Sequence, residues 1–529
     1  MWRWIKQALS PREEQPFHLG EDAQERGEAP AQGVVQENVK KPQRPFVLTG
    51  EYESTKRSLE AVFVKEQNAD FILREFYTGK KRGFLAFMEG IGDRTVIYEA
   101  MLYPLMRVPC HSLSHALSRV LPIHDAKIQT QPELAVQGIL DGMVLLVLDG
   151  EEAYILLECR RLEKRSVTTP QNEKVLRGPQ QGYVEDLRTN LNLIRNLCRT
   201  PDLCTKYQQM GGNNNLKCAV LYRAGVVNPR LLAEVERRLG RAQKDKGFFM
   251  GDGMLERYLD TRRGSLFPQV LHTERPDRTA AFLMQGHVAI LCEGSPFAIL
   301  APVTFFALLH TSEDHFVRPQ IATLSRCVRL ISAMLTLLLP ALYIALMTFH
   351  QVVLPTEFMI STLTLRKMVG MPVVAEVLLM SFLFELVREV SIRVQGGINQ
   401  SLGTIAGIVL GEALVSANIV SPIVLIIVTL TGLCSYAIPD YSLQMAVYLL
   451  RFAFLALAAV AGLVGMAVGW VVMISYLCTL ESMGVPFFAP VAPATRHSGD
   501  LIIRRRSRQT DMPDDVNAQG GRAQEEGQA

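Results

Sequence analysis

The sequence predicts a chain in two parts, an α/β cytoplasmic module of two subdomains followed by an all-α polytopic membrane domain. Three observations lead there. Between Leu324 and Leu480 only 13 of 157 residues are charged, against 94 of the other 372, a depletion that no globular domain of average composition shows. That region holds uncharged runs long enough to cross ~30 Å of hydrocarbon at ~1.5 Å per residue. Ahead of it, short apolar runs joined by Gly-containing turns alternate with helical periodicities, the pattern of mixed α/β folding.

Taken in order, residues 1–45 are rich in Gln, Glu, Pro and Gly without hydrophobic periodicity, and read as a flexible arm. The opening Met-Trp-Arg-Trp-Ile-Lys lacks the apolar run of a secretory signal, so what precedes the first span is expected in the cytoplasm. Subdomain 1 covers 46–180. Leu59, Val62, Phe63, Phe71, Ile72 and Phe76 fall near helical spacing and predict an amphipathic helix over 51–77. Val144–Leu148 and Ala153–Leu157, flanking Asp149-Gly150, predict a β-hairpin. Subdomain 2 covers 181–322. Lys217–Tyr222 reads as a strand, and Asn228 as the cap of a helix whose apolar face carries Leu231, Leu232, Val235 and Leu239. A second hairpin is predicted from His287–Cys292 and Pro296–Leu300 around Gly294. Two units of similar make-up, each ending in a hairpin, suggest a duplicated or bilobed module.

The membrane domain is placed at 323–490. Leu330–Phe349 and Ile419–Ile438 are uncharged runs of 20 residues, and Phe452–Leu480 is 29 residues, enough for one tilted or one broken span. Pro372–Phe384, extended through Glu389, supplies a more polar fourth. Arginines at 326, 329, 388 and 393, and four more between 504 and 508, put both termini inside. Four crossings are expected, with Gly396–Ala417 re-entrant or broken; six is the alternative. Arg366 and Lys367 fit this orientation poorly. Residues 491–529 read as a disordered cytoplasmic tail.

Within the apolar part, Gly403, Gly407 and Gly411 recur at four-residue spacing and clear one helical face for close approach. Gly396-Gly397 precede them, and non-helical backbone at membrane depth survives only against protein or a wet cavity. Ile398, Gln400, Ser401 and Leu402 are therefore candidate pore or gate residues, with helix packing the plain alternative. Glu376, Glu385, Arg388, Glu389, Glu412 and Arg451 lie in or beside apolar stretches, where a charge costs at least ~2.5 kcal/mol at a helix centre. They suit an ion path or structural pairs; Glu385 with Arg388 share a helix face, and Glu412 with Arg451 would pair between helices.

No strongly basic domain marks a nucleic-acid binder. The nine cysteines form no CxxC pair, and neither metal nor cofactor is expected. Gly251-Asp252-Gly253 lacks the GK[ST] of a P-loop, and no catalytic signature occurs, so an enzyme is not expected. The densest polar stretch runs from Arg177-Gly178-Pro179 through Gly182 and Glu185 to Asn190 and Arg195. It reads as a subdomain connector with a solvated helical face, or as a contact between lobes or subunits.

That stretch, RGPQQGYVEDLRTNLNLIR, resembles the signature of A-subunits of GerA-type spore germination receptors. Phe267-Pro-Gln-Val, Thr273-Glu-Arg-Pro-Asp277, the Glu293-Gly-Ser-Pro-Phe turn, Ser312–Arg318, Glu385-Leu-Val-Arg-Glu389, Val420-Ser-Pro422 and Gly484-Val-Pro486 extend the similarity over 50–495. Two departures fall in the suspected gate: Arg393–Gly397 replaces a Pro-containing run, and the carboxylate usual at position 416 stands at Glu412. The resemblance implies a receptor subunit of the spore inner membrane. It further implies a pentameric homo-oligomer in the lipid bilayer, working with a transporter-like B-subunit and a C lipoprotein as a nutrient-gated cation channel. A secondary transporter and a non-conducting scaffold are the alternatives.

Overall fold

The computed structural model describes residues 45–123, 126–159, 169–170, 172–245, 247–249, 251–262, 264–393, 411–492 and 501–504. Two lobes of the same topology come first. Lobe 1 opens with helix α1 (Tyr52–Val62) and strands β1 (Phe71–Thr78) and β2 (Lys81–Met88). Helical turns follow over 94–107 and 113–120, then β3 (Ala126–Gln129), α2 (Pro132–Leu140), β4 (Met143–Leu148) and β5 (Tyr154–Glu158). Its sheet has the order β1-β2-β4-β5-β3, antiparallel throughout. Lobe 2 repeats the plan: α3 (Leu187–Leu197), β6 (Leu203–Met210), β7 (Leu216–Arg223), α4 (Pro229–Lys244), α5 (Asp252–Leu259), β8 (Leu271–Thr273), α6 (Pro276–Met284), β9 (Val288–Cys292) and β10 (Ala298–Ala301). Its strand order, β6-β7-β9-β10-β8, is that of the first sheet shifted by five.

The uninterrupted apolar runs of the central strands follow from burial on both faces. Val144, Leu146 and Leu148 of β4 pack under the 94–120 turns, while Leu145 and Val147 pack under α1 and α2. In β9, Val288, Ile290 and Cys292 face α4 and α5, whereas Ala289 and Leu291 face α3 and α6. Both hairpins turn where expected, with Gly150 at φ +80° and Gly294 at φ +77°, the region only glycine enters cheaply. Asn228 caps α4 by accepting from the Arg230 amide at 3.0 Å. The single helix expected over 51–77 is not formed. It stops at Val62, and Phe71–Thr78 is a strand. The two meet where the rings of Phe63 and Phe71 stack at 4.5 Å, so tertiary contact had mimicked helical spacing.

The C-terminal helical domain contains α7 (Pro319–Thr348), α8 (Thr356–Arg366), α9 (Val373–Arg393), α10 (Gly411–Ser416), α11 (Pro422–Ser435) and α12 (Tyr441–Thr479). Among the described residues, α7 and α12 are long and apolar enough to cross a membrane. The run expected over 419–438 yields only the 14 residues of α11, because Pro422 starts the helix and Ser435 ends it. In α12, Gly462 adopts φ +60°, ψ −137°, and the chain doubles back there. A Cβ on Gly465 would lie 2.3 Å from the Leu457 carbonyl oxygen, and one on Gly469 would lie 2.7 Å from the Leu457 side chain. The element is a helical hairpin whose turn rests on Phe349 and His350 at the end of α7.

Glu376 meets Ser421 and Phe384 meets Gly432, so α9 and α11 run parallel and begin at the same end of the bundle. Gly411 packs on Leu425 near that end, while Arg388 meets Met445 near the start of α12. Residues 480–489 leave the bundle: β11 (Glu481–Ser482) and β12 (Val485–Pro486) form a small ribbon, and Phe487 packs on Phe267 and Phe305 of lobe 2.

Candidate functional site

The Arg177–Arg195 stretch folds as an internal strut. Its first half is a loop: Arg177 is exposed, Gly178 at φ +122° lies under the Phe316 ring, and the Pro179 carbonyl accepts from Arg275 at 2.8 Å. Gly182 is buried, and the exposed Glu185 offers its carbonyl to the Gly294 amide at 2.8 Å. Asp186 caps α3 through the Thr189 amide. Asn190, fully buried, clamps Val184 by accepting from its amide and donating to its carbonyl.

Arg195 is 3% exposed and reaches across the lobes, donating to Asp70 at 2.9 Å, Thr205 at 2.9 Å and the Leu203 carbonyl at 2.7 Å. Tyr207 donates to the other Asp70 oxygen at 2.7 Å. Asn190 and Arg195 are buried and hydrogen-bonded within the chain, and Arg195 joins the two lobes through Asp70. Asp70 is the partner that sequence reasoning missed. It lies 125 residues away in a turn, with no local signal.

Lobe 2 grips the roots of the helical domain. Asp314, in the loop before α7, receives Arg326 at 3.0 Å and both Arg329 nitrogens at 2.9 Å. Burial alone would raise this carboxyl, but the guanidiniums of Arg329 and Arg326 hold it at about 2. At the other root Tyr476 shares a hydrogen bond with Ser265 at 2.9 Å, and Ser482 donates to the Gln269 carbonyl at 2.6 Å and accepts from the Val303 amide at 3.0 Å. The tail takes part as well. His310 Nε2 lies 2.6 Å from the Leu501 carbonyl oxygen, and the Arg504 amide donates to Thr323 at 3.1 Å. Residues 501–504, expected to be disordered, are docked between the loop and α7.

Inside the helical domain, Glu376 is fully buried; it accepts from the Ser421 amide at 2.5 Å and faces Arg366 at 3.4 Å. This explains why Arg366 sat badly with the charge rule: it is a structural counter-ion. Glu385 pairs with Arg388 one turn on, as their shared face suggested. Arg451 does not pair with Glu412, which is exposed. Instead Arg388 and Arg451 stack on the Tyr448 ring, at 4.9 and 4.6 Å from its centroid, an arrangement favourable in a low-dielectric setting. Arg451 is 2% exposed, and its Nε and one Nη have no hydrogen-bond partner among the described residues. Glu389 is exposed and Gly411 buried. Ile398, Gln400, Ser401, Leu402, Gly403 and Gly407 lie outside the described residues.

Comparisons with known proteins show which sequences this chain is similar to. Residues 58–514 fit the model of the Bacillus/Clostridium GerA spore germination proteins. Spore germination protein KA of Bacillus subtilis (strain 168) is 32% identical over 433 residues, covering 80% of this chain and 79% of that protein. The uncharacterized membrane protein YfkQ of the same strain is 31% identical over 455 residues, 85% of this chain and 88% of its own. The N-terminal domain of the A subunit of the Bacillus megaterium spore germinant receptor GerK3 aligns with TM-score 0.37 at 20% identity, over 50% of this chain and 99% of that one. With a family model spanning most of its length and a relative above 30% identity, the chain belongs to the GerA spore germination protein family.

Proposed function

We propose that this chain is the membrane subunit of a spore nutrient germinant receptor, acting as an oligomeric ligand-gated cation channel. It would sit in the spore inner membrane with its lobes and tail in the cytoplasm, and would work beside a transporter-like B-subunit and a C lipoprotein. The observation that supports gating is the double grip of lobe 2. One lobe holds the root of α7 through Asp314 and the end of α12 through Ser482, so displacing the module must displace the first and last long helices together. A partner that binds the open arrangement more tightly than the closed one would then shift the population toward conduction.

Six crossings suit this reading better than four. α7, α9, α11 and the two arms of α12 give five, and the chain leaves α9 at one end of the bundle and reaches α10 at the other. An even count keeps both termini inside. Reconstitution of the intact receptor in planar bilayers tests the proposal: unitary currents opened by nutrient are expected. Slow saturable uptake without current would instead mean a transporter, and silence from a nutrient-responsive complex a scaffold.

A further inference from the structure

Inside the helical domain, two cations from separate helices meet in apolar surroundings. Arg388 of α9 and Arg451 of α12 both lie over the Tyr448 ring, and Arg451 is also 5.4 Å from the centre of Phe452. Both are more than nine-tenths buried, at 8% and 2% exposure. Among the described residues one carboxylate answers them. Glu385 pairs with Arg388 one turn away, and it is also the carboxylate that bears most on Arg451. Glu389, the next acid along α9, is exposed. Two guanidiniums against Glu385 leave one positive charge over, and a buried charge is costly unless it is matched.

Hydrogen-bond donors are left over as well. Arg451 Nε and Nη2 and Arg388 Nε are buried and have no hydrogen-bond partner among the described residues. On Arg451 these two nitrogens form one edge of the guanidinium, the parallel N–H pair that grips an anion from the side. What surrounds them compensates only in part. Met445 Sδ, 3.6 Å from Arg388 Nη2, is a weak acceptor, and aromatic faces attract a cation far less than an anion does. The complement that this cluster calls for is therefore a single negative charge with acceptor capacity. A divalent oxyanion would reverse the imbalance and lose more hydration on entry.

We propose that the Nε–Nη2 edge of Arg451, backed by Arg388 across the Tyr448 ring, binds a small monovalent anion, with chloride as the probe. Such an ion would tie the end of α9 to the first arm of α12, whether or not the bundle conducts. The test takes the full chain in detergent from sodium gluconate into sodium chloride at constant ionic strength. Chloride NMR line broadening and the thermal midpoint are read together. Saturable broadening is expected, half-complete at ~10–100 mM, the range open to a one-atom ligand, with a midpoint that rises as chloride replaces gluconate. Arg451→Gln should weaken binding at least about tenfold. Glu385→Gln removes the competing carboxylate and keeps both guanidiniums, so it should tighten binding about threefold or more. If Arg451→Gln fails to fold, Glu385→Gln decides alone, because that side chain is 22% exposed. The proposal is overturned if broadening does not saturate in the wild type, if Arg451→Gln binds chloride equally well, or if Glu385→Gln binds it more weakly.

Discussion

Arg195 and Asp70, 125 residues apart, form a buried ion pair at 2.9 Å that joins α3 of lobe 2 to the turn before β1 of lobe 1. Each is further satisfied, Arg195 by the Leu203 carbonyl and Thr205, and Asp70 by Tyr207. Removing one partner leaves a charge stranded in the interface, which costs ~3–5 kcal/mol. Arg195→Ala is expected to split or broaden the thermal transition of the purified chain. Arg195→Ala/Asp70→Ala should recover part of the loss in a double-mutant cycle. A loss in the double variant equal to the sum of the two single losses would show that the pair does not carry the coupling.

The hairpin of α12 rests on one residue. Gly462 stands at φ +60°, and a Cβ added there would lie 2.9 Å from His350 Cε1 and 3.0 Å from Phe349 Cβ. Gly462→Ala is expected to cost ~1–2 kcal/mol from the left-handed backbone alone, with the clash added to it. Gly370, with open space around it, is the control, and Gly370→Ala should leave the midpoint nearly unchanged. Scanning calorimetry in detergent checks both. Similar midpoints for the two variants would mean that the turn does not need glycine.

How much of this was readable beforehand depends on the reach of each interaction. The hairpins at Gly150 and Gly294 and the cap at Asn228 were legible because a turn or cap is written within a few residues. The charge depletion between 324 and 480 marked the apolar helices for the same reason. What escaped was long-range. The Phe63–Phe71 stack made a helix and a strand look like one helix, Asp70 and Asp314 gained their roles only when distant arginines arrived, and the fold-back at Gly462 was one of two readings of an apolar run. Of the candidate site residues, Glu385 with Arg388 paired because the pairing is local. Glu412 with Arg451 did not, because helix placement decided it and Tyr448 supplied the competing surface.

Acid and base should destabilise the chain through different groups. Asp314 is held at about 2 by Arg329 and Arg326. Its stabilising contribution is full above its unfolded value, near 4, and is lost as pH falls through about 2. His272 runs the opposite way. Burial would lower it, but Asp252 and Glu256, at 3.3 and 3.4 Å, raise it to about 9. That contribution, on the order of 3 kcal/mol at most, is full below its unfolded value of ~6.5 and disappears as pH rises through about 9. Asp260 and Arg238 complete the charged surroundings, with Asp260 raised to about 6 by burial and Glu256. Midpoints measured from pH 6 to 10 should fall more steeply for the wild type than for His272→Gln. Parallel curves would remove His272 from the account.

Glu376 offers a test inside the apolar bundle. Its carboxylate holds the start of α11 through the Ser421 amide and balances Arg366 from α8. Glu376→Ala should therefore lose both a helix anchor and a counter-charge, at ~3–5 kcal/mol by the reckoning for a broken buried pair. Glu376→Gln keeps an acceptor for Ser421 and loses only the charge, so it should cost less. Adding Arg366→Gln to Glu376→Gln removes the stranded guanidinium and should restore most of the remainder. Detergent midpoints of the three variants separate the two roles. If Glu376→Gln is as damaging as Glu376→Ala and the second substitution gives no recovery, Arg366 is not the counter-ion, and the ordering of α8 against α9 must rest on packing alone.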